Sequence, residues 1–257
     1  MKKNLTLVFL IAVFYFQNVS ATTYYWVPYG SGIWGKNTHV VADSSNWSTI
    51  SGGKGNQGYP TSTDTAYFDA NSFTIGHDSV LVSGNIAVHS IIFNTLGQKA
   101  TFGNQTNADT VKLYGSFLLD TNVIFRANAC GYVFYSYGST VNQIDMKKNA
   151  FTSYYNNYAF NGNGAGWKLL SNLDMSASNI VFGTGAKFNT NGFDVYTINT
   201  TNADSVQITI KGPTLWTAQT LDFTGKGSTL AMDSNARFHI WFNTANGKMR
   251  AAGLNQI

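Results

Sequence analysis

From about residue 72 the chain is a succession of short runs in which apolar and polar residues alternate, each bounded by Asn, Gly, Asp or Ser. Alternation with a period of two marks strands that bury one face. Val80, Val82, Ile91, Phe93, Val111, Leu113, Phe125, Ile180, Phe182, Val206 and Ile208 fall on the apolar phase and are expected to share one core. The runs also resemble one another. Asn107-Ala108-Asp109-Thr110-Val111-Lys112-Leu113 returns as Asn202-Ala203-Asp204-Ser205-Val206-Gln207-Ile208, with shorter forms at Asp78-Ser79-Val80 and Ser139-Thr140-Val141. From Asp78 to Asp109 and from Asp109 to Ser139 the spacing is about 30, and from Ser139 to Asp204 it is about two such periods. Ile91-Ile92-Phe93, Val123-Ile124-Phe125 and Ile180-Val181-Phe182 form a second, looser series.

A repeat of about 30 residues predicts a coil of three strands and three turns. One coil cannot bury its apolar face alone, so coils stack. The expected fold is therefore all-β, a β-solenoid of about 30 residues per coil over residues 71–257. An antiparallel β-sandwich is the alternative, because Asn161-Gly162, Asn191-Gly192 and Asn246-Gly247 are hairpin signals. Asn-Gly also suits the left-handed corner of a solenoid.

Residues 22–70 differ from the rest. They hold Trp26, Trp34 and Trp47, two of the 3 Pro and many Gly, and read as a cap on the N-terminal end of the solenoid. Before them, Lys2-Lys3, an apolar run from Leu5 to Phe16 and the small residues Val19-Ser20-Ala21 match a secretory signal peptide over residues 1–21. The run is too short to span ~30 Å of hydrocarbon, and no later segment is apolar enough. Removal of the signal would leave a chain that starts at Thr22.

Composition narrows the class. Charged residues are 11% of the chain, and all 12 acidic residues are Asp. Asn and Thr number 28 each, with 25 Gly and 21 Ser, so strand and turn formers outnumber helix formers. A helical bundle, a coiled coil and a Rossmann enzyme are excluded. Aromatic residues at 15% and apolar residues at 44% exclude disorder. Without Lys2 and Lys3 the charge is 14 minus 12, or +2. The basic stripe that nucleic acid requires is absent. Cys130 stands alone and reads as a buried thiol, so neither an internal disulfide nor a four-Cys zinc site can form.

Several motifs bear a resemblance. Tyr24-Tyr25-Trp26-Val27, Gly32-Ile33-Trp34, Asn46-Trp47-Ser48, Pro60-Thr61 and Phe68-Asp69-Ala70-Asn71 follow in order. Leu113-Tyr114-Gly115-Ser116, Phe160-Asn161-Gly162-Asn163-Gly164 and Phe188-Asn189-Thr190-Asn191-Gly192 come later. The series resembles large secreted, repeat-rich bacterial surface proteins, adhesin-like or similar to autotransporter passenger domains. The resemblance covers most of residues 24–232. It implies a β-helical extracellular stalk or adhesin of a Gram-negative bacterium and carries over no catalytic residue.

Candidate chemistry is sparse. The Asp residues are scattered, and no pair stands out as the two carboxylates of a glycosidase. His39, His77, His89 and His239 lack metal-ligand spacing, and no nucleophile elbow, phosphate loop or calcium loop is present. No catalytic, metal or cofactor residue is therefore assigned, and no cofactor is expected. Trp26, Trp34 and Trp47 are expected to cover the end of the solenoid; the alternative is a stacking platform for sugar rings. Thr65, Ser79, Thr110 and Ser205 each follow Asp and precede an apolar residue, a form similar to bacterial O-glycan acceptors. The plain reading is a turn Asp followed by a strand start. The expected function is a non-enzymatic extracellular protein with an adhesion, stalk or matrix role. A carbohydrate-binding module or polysaccharide-lyase-like β-helix is the alternative. Surface glycans or other surface proteins are the expected partners, with end-to-end self-association through residues 245–257, which offer no cap.

Overall fold

The computed structural model describes residues 20–27, 33–34, 46–74, 78–104, 109–127, 131–151, 157–240 and 248–251. Expectations for residues 1–19 of the signal peptide, His39, His77, Cys130 and Asn246-Gly247 lie outside them. All regular structure among the described residues is β-strand.

The strands stack into a β-solenoid with three faces. The first face is a parallel ladder of Thr23–Trp26, Thr65–Phe68, Ser90–Phe93, Phe117–Leu118, Asn142–Asp145, Trp167–Leu169, Lys187–Asn189, Gln207–Ile210 and Thr229–Met232. The second runs through Ile33–Trp34, Ser79–Val82, Ala100–Asn104 and Val123–Arg126. The third begins with Ile86–Val88, Thr110–Leu113, Gly131–Tyr135 and Asn157–Asn161. In Leu173–Phe182 and Val195–Asn202 one long strand serves where there were two, and Leu215–Ala218 and Thr220–Phe223 divide it again. Leu173–Phe182 pairs with Val195–Asn202 along both halves, with a register shift between Met175 and Asn179. The only antiparallel pairing between described strands is at the N-terminal end, where Tyr25 faces Ser48 and Trp26 faces Trp47. A sandwich is therefore not formed. Asn161-Gly162 and Asn191-Gly192 turn solenoid corners instead, with φ of 102° at Gly162, 53° at Asn191 and 90° at Gly192.

The coil is shorter than the repeat suggests. On the first face, Ala66, Ile91, Phe117, Ile144 and Leu169 are successive partners, so the numbering advances by about 26 per coil. Trp167, Phe188, Ile208 and Leu230 follow, and there it advances by only about 21. On the second face, Val80, Phe102 and Phe125 are successive partners at a spacing of about 22. The expected coil of about 30 is thus corrected to one nearer about 22.

The reason lies in what the repeated motif encodes. Asp78-Ser79-Val80 enters the second face, Asp109-Thr110-Val111 the third and Asp204-Ser205-Val206 the first. The motif is turn followed by strand, and it occurs at any of the three corners. An interval of about 30 is one coil of about 22 plus one further face of about eight. The interval from Ser139 to Asp204 is three coils, since Asn142, Trp167, Lys187 and Gln207 open consecutive first-face strands. The second series likewise spreads over three faces, with Ile91 on the first, Val123 on the second and Ile180 on the third.

The apolar phase itself was correctly read. All eleven expected core residues are buried in one continuous cluster that runs the length of the coils. Thr65–Phe68, at the end of the Trp-rich segment, is a rung of the first face between Thr23–Trp26 and Ser90–Phe93. At the far end of that face, Thr229–Met232 buries only Leu230.

Candidate functional site

The polar residues that dominate the composition hold the coils together. At each corner a side-chain oxygen accepts a backbone N–H from a neighbouring coil. Ser90 Oγ accepts from Ser116 N at 2.9 Å, and Ser116 Oγ accepts from Gln143 N at 3.0 Å. Asp120 Oδ2 accepts from Thr95 N at 3.0 Å, Asp194 Oδ1 from Leu215 N at 2.7 Å, and Asp204 Oδ1 from Lys226 N at 2.7 Å. Backbone groups left over at a solenoid corner need such partners. Burial pushes the Asp120 carboxyl up, but hydrogen bonds from Thr121 and Thr95 outweigh it and hold the group below its ordinary range. These Asp residues are spent on architecture, and no group of three His, Cys, Asp or Glu that could hold a metal occurs among the described residues.

The three tryptophans are spent likewise. Trp26, Trp34 and Trp47 are 2%, 1% and 1% exposed. Trp47 stands edge-on to Trp26 and to Trp34, each at 5.0 Å between ring centroids, and meets Phe68 at 5.4 Å. They make an aromatic plug within the first coils. A sugar platform needs an exposed ring face, and these three offer none. The candidate glycan acceptors are not gathered either. Thr65 lies on the first face, Ser79 on the second and Thr110 on the third, all half-buried, and Ser205 sits exposed in a corner at φ 59°.

An exposed aromatic feature lies elsewhere. Tyr114 and Tyr135 occupy one outward position on neighbouring rungs of the third face, and their rings stack at 4.9 Å and 13°. Tyr137 stacks on Tyr135 at 5.7 Å and 22° and is 62% exposed. Burial, then the neighbouring phenols of Tyr135 and Tyr137, pushes the Tyr114 hydroxyl up, so that phenol stays protonated well beyond neutral pH.

The loop that carries Tyr137 is fastened to the next coil. Gly164 N donates to Ser136 O at 2.8 Å, Ala165 N to Gly138 O at 2.9 Å, and Gly166 N to Ser136 Oγ at 2.9 Å. The approach is close enough to demand glycine. A Cβ at Gly162 would collide with Ser136 O, and one at Gly164 would lie 2.6 Å from Gly138 O. Asn161, next in register after Tyr135, lies against Gly183, where a Cβ would collide with its Oδ1. Ser139 and Thr140 beside Tyr137 are exposed hydroxyls. Sequence reading named Tyr114 only within a motif and passed over Tyr135 and Tyr137. Their signal is a tyrosine recurring after one true coil length, followed by the alternating Phe134-Tyr135-Ser136-Tyr137.

No helix among the described residues is long and apolar enough to cross a membrane. No protein-family model matches the chain, and neither a curated protein nor a solved structure matches it. What stands of the resemblance is therefore the β-helical fold.

Proposed function

We propose that this chain is a non-catalytic extracellular β-solenoid that works by attachment, holding its long side faces out as an adhesive or matrix surface. The observation that carries the reading is the use of the polar side chains. Asp and Ser at the corners are tied to neighbouring coils, which supports the reading of a regular stack that presents its side faces. The sequence supports export, because residues 1–21 have the form of a signal peptide. Surface glycans and surface proteins of a Gram-negative bacterium are the partners that fit such a surface.

The test is to express the full chain with a tag in a Gram-negative host and fractionate the cells. The tag should be found at the cell surface or in the medium, and the exported protein should begin at Thr22. Cells bearing it should adhere more than cells without it. Retention in the cytoplasm with Met1 intact would sink the export reading. Release of unsaturated or reducing sugar ends from polysaccharides would replace attachment with catalysis.

A further inference from the structure

We infer that Tyr137, backed by Tyr135 and Tyr114, is a stacking site for a neutral sugar ring. The inference rests on the attachment reading above and names the class of ligand for it. Tyr135 stacks on Tyr114 and on Tyr137, and Tyr114 is half-buried with one face on Tyr135. Tyr137 is different. One face lies on Tyr135, and most of the ring is in solvent.

Leu96 and Ile124 are exposed too, but on a corner and on an outward strand position, and Val141 is exposed on the same loop as Tyr137. Leu96 occupies a corner at φ 50°, and Ile124 points out from Val123–Arg126. Tyr137 instead sits on a loop held by three hydrogen bonds to the following coil and seated on Gly162 and Gly164. A ring pinned in this way loses little freedom when a ligand lands on it, so less of the contact energy is offset by ordering.

The surroundings select the ligand class. Ser139 and Thr140 supply exposed hydroxyls, half-buried Asn161 supplies an amide, and residues 136–142 carry no charge. An anion would find no Lys or Arg on this loop, and a cation would find no carboxylate. A hexopyranose fits both features. Its C–H face packs on an aromatic ring, and its rim hydroxyls exchange hydrogen bonds with hydroxyl and amide neighbours.

The experiment is affinity electrophoresis of the exported full chain through gels containing neutral glucans, mannan or xylan, with an acidic polysaccharide as a control gel. The mobility of the wild type should fall in at least one neutral gel and stay unchanged in the acidic one. Tyr137→Ala should weaken that retardation about ten-fold, the amount one aromatic contact carries. Tyr137→Phe should keep it, because the ring face is unchanged. Tyr59→Ala, which removes an exposed tyrosine elsewhere, should have no effect. Circular dichroism of Tyr137→Ala must match the wild type; if it does not, the Tyr137→Phe result and saturation-transfer from the tyrosine rings to the sugar decide. Retardation in the acidic gel alone, equal retardation of Tyr137→Ala, or no retardation by any neutral glycan overturns the site. Those results leave attachment standing if cells displaying the protein still adhere; loss of surface display or of adherence fails the attachment reading itself.

Discussion

The coils before residue 170 and those after it are built to different sizes. In the first group the first face recurs after about 26 positions, and in the second after about 21. The second face of the first group recurs after only about 22 positions, so much of the first-face excess lies in the segments that join the faces. Part of the difference lies between the second and third faces. Early coils turn between the second and third faces, whereas Leu173–Phe182 and Val195–Asn202 run straight through with only a register shift. The filling changes with the perimeter. The wide coils pack Phe102, Phe117, Phe125, Tyr132, Phe134, Phe151, Tyr158 and Phe160 ring against ring. The narrow coils set Phe182, Phe188 and Trp216 among the smaller Val195, Ala218 and Leu221, and bury Thr197 and Thr200 with them. A larger cross-section needs larger side chains to reach the packing density of a protein interior.

The largest expected effect tests that difference directly. Phe134 has ring centroids of Phe160 at 4.7 Å and Trp167 at 5.3 Å, while among the described residues Phe223 meets rings at 6.3 and 6.4 Å. Phe134→Ala should cost about 5 kcal/mol and Phe223→Ala about 3 kcal/mol, the two ends of the range for buried Phe. Denaturant midpoints measure both. Equal losses would break the link between coil width and ring packing.

A second pair of changes tests what the two regions share, which is the distance between coils. Gly162 in a wide coil and Gly225 in a narrow one both lie against the backbone of the coil before. A Cβ would collide with Ser136 O in the first and with Ala203 O in the second. Alanine at either should cost roughly 2–3 kcal/mol. Gly84, at φ 79° with nothing within 4 Å of a Cβ, should cost only about 1 kcal/mol on the same substitution. Thermal melts of the three variants rank them. A mild Gly225→Ala beside a severe Gly162→Ala would show that the narrow coils are more loosely stacked.

A third pair lies within the narrow coils and should move in opposite directions. Thr190 Oγ1 sits 2.8 Å from Thr214 Oγ1 and accepts from Lys211 N at 2.9 Å. Thr190→Val strips a buried donor and acceptor of their partner and should destabilise by about 1–2 kcal/mol. Thr200 is fully buried, and its hydroxyl finds no partner in the structure. Thr200→Val should therefore stabilise, by up to about 1 kcal/mol. If calorimetry shows both variants weakened alike, the Thr200 hydroxyl has a partner after all.

The sequence carried the apolar phase well, because alternation reports directly which side of a strand faces inward. Val80, Phe125 and Ile208 could each be placed in the core without knowing which face they belong to. It carried the coil length badly, because Asp78, Asp109 and Asp204 mark corners that look alike in sequence but lead to different faces. That Trp26, Trp34 and Trp47 gather at one end was legible from their crowding along the chain. The tyrosine stack was not, since Tyr114 and Tyr135 become neighbours only at the true coil length, and Tyr137 depends on glycines in the coil that follows.

The smallest effect is a pH dependence in the wide coils, at the corner that follows the first face. There Thr95 N and Thr95 Oγ1 donate to Asp120 Oδ2 at 3.0 and 3.1 Å. The same kind of corner in the narrow coils carries the Thr190–Thr214 hydroxyl pair, with Asp194 Oδ1 accepting from Leu215 N at 2.7 Å and Asp233 Oδ2 from Gly212 N at 3.1 Å beside it. Burial alone raises the Asp120 pKa, but the hydrogen bonds from Thr121 and Thr95 leave it lowered. A carboxyl whose folded pKa is depressed adds stability that is complete above the unfolded value of ~3.9. That stability fades as pH falls from there through the folded pKa. Asp120 is partly solvent-exposed, so water screens much of the effect. Between pH 5 and pH 2, amides around Thr95 and Asp120 should lose hydrogen-exchange protection while those around Thr190 and Thr214 change less. Asp120→Asn should lower protection at Thr95 at neutral pH and remove its acid dependence. Equal acid sensitivity at both corners, or an unchanged acid profile in Asp120→Asn, would show that the two halves are held by the same chemistry.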